Sequence, residues 1–255
     1  MSKLANEMVG LATRTRVRSK LLNKTQYLSP VSFKTCIRSL VNERHDMDFE
    51  VSRHNSDFRE LNLSLNENSE LFASQHAFLG NAEDALKKQA LFPRTEKRIR
   101  RISQLFEKDK LSVHLSICSQ VDFLCDALNP EQQYSLSASQ VQSLSWVELL
   151  KRIRNGNPEA EIIVWDFERP TVVTISFLAL LTNCEPEQLR KLLGGQITQT
   201  ISSYTTKYKP QFRNDTEAAL DELYGLDLSL LEEFSGEHEN VHFISEEKVP
   251  DDFKL

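Results

Sequence analysis

The chain has no apolar run long enough for a membrane span, which takes about 18 consecutive apolar residues. The stretch "TVVTISFLALL" is too short and follows Pro170 as a buried helix would. The opening "MSKLANEMVG" lacks the apolar core of a secretory signal. Glycine is scarce, with 7 in 255 residues, and none follows Gly10 in "GLATRTRVRSKLL". That absence excludes a Walker A loop there, because wrapping a phosphate takes glycines. The cysteines Cys36, Cys118, Cys125 and Cys184 have no metal-ligand spacing. Without an export signal, reduced buried thiols and a cytoplasmic protein are expected. No repeat, low-complexity tract or Gly/Pro/Ser-rich linker divides the chain, so residues 1–255 read as one domain with an acidic segment from about 214.

What is present is an ordinary globular composition, 40% apolar and 27% charged. The net charge of −6 hides an asymmetry. Residues 1–44 carry nine Lys or Arg against Glu7 and Glu43, whereas residues 214–255 carry thirteen Asp or Glu against Lys248 and Lys254. The two ends either stay solvated and attract one another, or the basic end holds an anion. Nucleic-acid binding is not expected: the basic stretch has no interleaved aromatics, and the chain is acidic overall.

Strand-like and helix-like runs alternate. "NEMVGL", "ELFAS", "LSVHLSICS", "AEIIVWDFE" and "NVHFIS" read as strands, the fourth apolar nearly throughout, as a central parallel strand should be. "RTRVRSKLLN", "SPVSFKTCIRSLVNE", "NAEDALKKQALFP", "RTEKRIRRISQLFEK", "SASQVQSLSWVELLKRIRNGNP", "PTVVTISFLALLTNCEP", "EPEQLRKLLGG" and "TEAALDELYGLDLSLLEEF" read as helices. Such alternation predicts an α/β fold, a three-layer sandwich around a mainly parallel central sheet.

Ligands in such sheets sit beyond the carboxyl ends of strands. At the first, Thr13 and Thr15 supply hydroxyls and Arg14, Arg16 and Arg18 supply guanidinium forks that suit phosphate or sulfate; a solvated basic helix face is the plainer alternative. At the second, His76 is either a candidate general base or a structural hydrogen-bonding residue, with Ser74 and Gln75 orienting a ligand or closing the strand. At the third, Cys118 is only a weak donor. Asp126 would repel a phosphate by roughly 4 kcal/mol at about 4 Å and an effective dielectric near 20. In "VWDFERP", Asp166 and Glu168 form either an acid/base pair or, with Arg169, a structural ion pair.

The order of these segments over residues 70–170 resembles bacterial sulfotransferase-like proteins of the P-loop class. "ELFASQHAFLG" is similar to their second strand, which ends in Ser–Ser–Glu, and "ALFPRTEKRIRRISQLFEK" to the Tyr/Phe–Pro and helix after it. "LSVHLSICSQVDFLCDAL" is similar to the Arg-x-x-x-Asp-x-x-x-Ser segment, and "SWVELLKRI" with "EIIVWDFE" to the later helix and strand. The resemblance implies the donor 3′-phosphoadenosine 5′-phosphosulfate (PAPS) and a sulfuryl transfer to an acceptor hydroxyl. It places Asp122 on the family Asp, but Cys118 on its Arg, Asp126 on its Ser and His76 on its Glu. Thr13, Arg14, Thr15 and Arg16 stand where the family has Lys-Thr-Gly-Thr-Thr. The expectation is therefore a divergent scaffold that needs no cofactor and binds a small anion or glycan. The alternative is an active sulfotransferase, acting on a carbohydrate or small-molecule hydroxyl, with an altered PAPS site that uses Arg14 or Arg16 and His76.

Overall fold

A computed structural model describes residues 25–28, 70–73, 79, 82–105, 110–166, 179, 185–189, 191 and 210–245. Two parallel ladders organise them. In the first, β1 (Thr25–Leu28) pairs with β2 (Glu70–Ala73), with Thr25 opposite Glu70. In the second, β3 (Ser112–Ile117), β4 (Glu161–Asp166) and β5 (Val241–Ile244) lie in the order β3-β4-β5, all parallel. Ser112 faces Glu161, and Ile162 faces Val241. Parallel neighbours need long crossovers. In the second ladder helices supply them, while α1 (Ala82–Lys88) and α2 (Thr95–Leu105) precede β3. After β3 come α3 (Gln120–Ala127), α4 (Pro130–Ser135), α5 (Ala138–Val141) and α6 (Trp146–Gly156). The long α7 (Asn214–Glu237) leads into β5.

Strand alternation sorts the side chains. Leu115 and Ile117 of β3, Ile162 and Val164 of β4, and Val241 and Phe243 of β5 enter one core. β4 buries its other face too: Ile163 and Trp165 are 7% and 1% exposed. A strand paired on both edges and covered on both faces explains the near-continuous apolar run.

The core is completed by α3, α6 and α7. Helix α7 buries Thr216, Leu220, Tyr224, Asp227, Leu231 and Phe234, at intervals of three and four residues. That stripe packs against α3, α5, α6 and β5. Helix α2 lies along α6, and Gly156 is their point of closest approach. A Cβ there would sit 2.7 Å from the Glu96 carbonyl oxygen and 2.8 Å from Ile99 Cβ.

The α/β class read from the sequence is present, with β4 central as its composition predicts. Several boundaries differ. The helix expected to run up to Pro93 stops at Lys88, because Gln89 and Phe92 adopt left-handed φ values of 49° and 47°. The helix expected from "SASQVQSLSWVELLKRIRNGNP" is two: Leu144 is fully buried, and Ser145 opens a second helix by accepting from the Glu148 N–H. Gly156 is the last residue of α6 and also allows the close packing of α2. Two elements carried no expectation. They are β1 and α4, the latter closed by an Asn129–Gln132 capping box with Pro130 at its first turn. "NEMVGL" and the helices expected at "RTRVRSKLLN" and "SPVSFKTCIRSLVNE" lie outside the described residues, as does most of 170–209. No helix among the described residues is long and apolar enough to cross a membrane.

Candidate functional site

The carboxyl end of β3 runs into a turn that α3 and α6 enclose. Ser119 caps α3 by accepting from the Asp122 N–H at 3.1 Å. Beside it, the Trp146 indole N–H donates to the Cys118 carbonyl at 2.9 Å. The Cys118 side chain is buried. Burial pushes its thiol up to about 12, and the carboxylates of Asp122, Asp126 and Asp166 push the same way. A thiol so placed stays protonated at neutral pH and is neither nucleophile nor metal ligand. Asp122 and Asp126 point outward at the surface. At the end of β4, Asp166 accepts from the Tyr224 hydroxyl at 2.9 Å, which ties the strand to α7.

The first turn of α6 is the other place where this sheet could hold an anion, because helix N-termini present unpaired N–H groups and a positive dipole. It is already filled. Asp227, 1% exposed, reaches in from α7. Its carboxylate accepts from the Ser145 hydroxyl at 2.5 Å, the Trp146 N–H at 2.7 Å and the Gln120 amide at 2.7 Å. The Val147 N–H lies at a longer 3.5 Å. Burial pushes the Asp227 carboxyl above its ordinary pKa, and these hydrogen bonds pull the other way. Gln120 also donates to the Leu144 carbonyl at 3.2 Å, and its own buried carbonyl oxygen has no partner among the described residues.

At the amino ends of the strands Glu161 gathers a small polar group. Ser112 donates to it at 2.6 Å, and His242 Nε2 lies 3.6 Å from its other oxygen. On the same face the Trp165 indole N–H donates to His114 Nδ1 at 3.3 Å, with the rings stacked. Among the described residues no three His, Cys, Asp or Glu side chains are placed to hold a metal ion.

Positive charge is concentrated elsewhere. A groove of about 440 Å³ runs along the outer face of α2, lined by Arg94, Glu96, Lys97, Arg100, Arg101 and Gln104. The intervals of three and four residues place Arg94, Lys97, Arg101 and Gln104 in one row. Arg100 bridges Glu96 at 2.6 Å.

No family model, curated protein or solved structure matches the chain. Thr13, Arg14, Thr15, Arg16, Arg18, Ser74 and His76 all lie outside the described residues, as do Gln75, Glu168 and Arg169. The described part of the third candidate site, Cys118 to Asp126, carries no cation and no hydroxyl in the positions at issue. Two features escaped the sequence reading although a signal existed for each. Asp227 counted only as one acid of an acidic segment, yet it stands in the stripe Leu220, Tyr224, Asp227, Leu231. The basic row of α2 is not singled out in the sequence, where the segment reads only as a helix, although four of the five residues Lys97–Arg101 are cationic.

Proposed function

We propose that the protein is a divergent sulfotransferase-like scaffold, a three-layer sandwich of the P-loop class, which has lost ordinary PAPS-dependent catalysis and binds an anionic ligand. The observation that carries this reading is the β3 terminus. Where the resemblance puts a guanidinium and a hydroxyl for the nucleotide's 3′-phosphate, this chain has a buried, protonated Cys118 and the carboxylate of Asp126. Removing a charged partner from a phosphate site costs several kcal/mol, and a carboxylate in place of the hydroxyl adds repulsion. The neighbouring helix N-terminus offers no substitute, since Asp227 consumes its donors. Anion binding then falls to cations outside that turn, with Thr13 to Arg18 the stretch singled out in the sequence.

Thermal melting of the full chain with PAPS, its desulfated product adenosine 3′,5′-bisphosphate, and inorganic sulfate tests this. A ligand at a hundred times its Kd stabilises the native state by about 2.7 kcal/mol, which a melting curve resolves. Neither nucleotide should shift the transition, whereas sulfate at high concentration should. A saturable shift with the bisphosphate that Arg16→Ala removes would favour the active enzyme instead. So would transfer of label from PAPS to a sugar acceptor that is lost in His76→Ala.

A further inference from the structure

Helix α7 carries a second apolar row beside the stripe it buries. The buried stripe, Thr216, Leu220, Tyr224, Asp227, Leu231 and Phe234, packs against α3, α5, α6 and β5. On its shoulder lie Ala219, Leu223, Leu226 and Leu230. Ala219 and Leu223 are half-buried against the core, whereas Leu226 and Leu230 are 55% and 36% exposed. These two leucines, one turn apart, are two of the three exposed large apolar side chains among the described residues. The steps of four, three and four residues are those of a coiled-coil seam, which a second helix covers. From residue 219 to residue 230 the row extends about 16 Å, at 1.5 Å per residue. Three turns of a second helix match that length.

Charge around the row selects the kind of helix. Helix α7 holds eight Asp or Glu and no Lys or Arg. Glu222 flanks the row, and Glu233 and Glu237 take the next two seam positions beyond Leu230. All three are exposed and make no ion pair among the described residues. A second copy of α7 would set these carboxylates against like charges, a juxtaposition that suppresses pairing. An anionic lipid surface, which attracts Lys and Arg, would be repelled in the same way. We propose that this shoulder of α7 docks a basic amphipathic helix of another protein. The apolar stripe of that helix covers Leu223, Leu226 and Leu230, and its Lys or Arg side chains meet Glu222, Glu233 and Glu237. The surface stands apart from the sulfotransferase-like reading and holds whether or not an anion binds elsewhere.

The test follows the anisotropy of a fluorescein-labelled peptide of three heptads, leucine at a and d and lysine at e and g, as the full chain is added. One comparator has the same residues shuffled to break the apolar spacing; the other has glutamate for lysine. The lysine peptide should bind saturably at one site per chain, at least tenfold more tightly than either comparator. Leu226→Gln with Leu230→Gln should weaken it at least tenfold at an unchanged melting temperature, because both side chains are exposed. Glu222→Lys, Glu233→Lys and Glu237→Lys together should weaken it at least tenfold and bind the glutamate peptide instead, a gain that no loss of fold can mimic. If the leucine variant does not fold, this charge reversal decides. No saturable binding, full affinity in the folded leucine variant, or equal binding of the shuffled peptide would each overturn the assignment. So would a dimer in sedimentation that the leucine variant dissolves, which would make a second copy the occupant. Tighter binding of a peptide of residues 14–23 would also overturn it, giving the shoulder to this chain's own basic end.

Discussion

Replacing Asp227 by alanine should be among the most damaging single changes available to this fold. The side chain is 1% exposed and accepts three short hydrogen bonds, from Ser145, Trp146 and Gln120, in the 2.5–2.7 Å range. Truncation leaves those donors in a dry cavity with no acceptor. A buried donor left unmade costs about 1–3 kcal/mol. The Ser145 hydroxyl can rotate to another acceptor, so the Trp146 N–H and Gln120 amide dominate, and the sum is about 3–5 kcal/mol. Domains of this class have about 5–15 kcal/mol in total. At about 2–4 °C per kcal/mol for a chain of this size, melting should fall by about 6–20 °C. Urea unfolding followed by tryptophan fluorescence suits the measurement, because Trp146 sits at the site. Asp227→Asn should cost less, keeping one acceptor oxygen. Its pH dependence is signed. Burial raises the carboxyl's folded-state pKa, so the linked stability is fully present below the unfolded value and is lost as pH rises through the folded one. The deficit of the Asn variant should therefore narrow from acid toward neutral pH. A loss below about 1 kcal/mol for Asp227→Ala would refute the idea that this carboxylate seals α6.

Other outcomes follow from the same geometry. Cys118 and Cys125, whose thiols burial pushes up to about 12 and about 11, should resist iodoacetamide at pH 8 in the folded protein and react once it is unfolded, as read by peptide mass mapping. Gly156→Ala should destabilise by about 1–3 kcal/mol through overpacking against the Glu96 carbonyl and Ile99, reversing the usual gain of about 1 kcal/mol for that change in a helix. Burial holds the His114 pKa below its ordinary 6.5, with Glu161 opposing, so its linked stability is present above that value and lost as pH falls. His114→Gln should flatten the decline in urea midpoint between pH 7.5 and 5.5; an unchanged slope would exclude His114 as its source.

The sheet was legible where composition and topology agree. Ile162 to Trp165 is apolar at every position, and only a strand covered on both faces tolerates that. Ser119 and Ser145 are sequence-visible caps, yet Ser145 was read as mid-helix because the apolar spacing around Trp146 continues smoothly across the break. Strand β1 was missed because four residues of TQYL have no alternation long enough to read. The role of Asp227 was illegible for a different reason. Its partners are 80 to 107 residues away, so the helical stripe marks Asp227 as inward-facing but nothing local tells which donors it meets.

That long reach has a consequence for biosynthesis. The carboxylate that completes the first turn of α6 belongs to a helix that leaves the ribosome well after α6, and β5 follows it. Until residue 245 has emerged, β4 lacks one of its two neighbours and the Trp146 amide lacks its acceptor. A nascent chain halted before residue 214 thus exposes an apolar central strand as an open edge, a ready template for pairing with another copy. Helix α7 and β5, made after β4, act together as the clasp that covers the edge a shorter nascent chain leaves open.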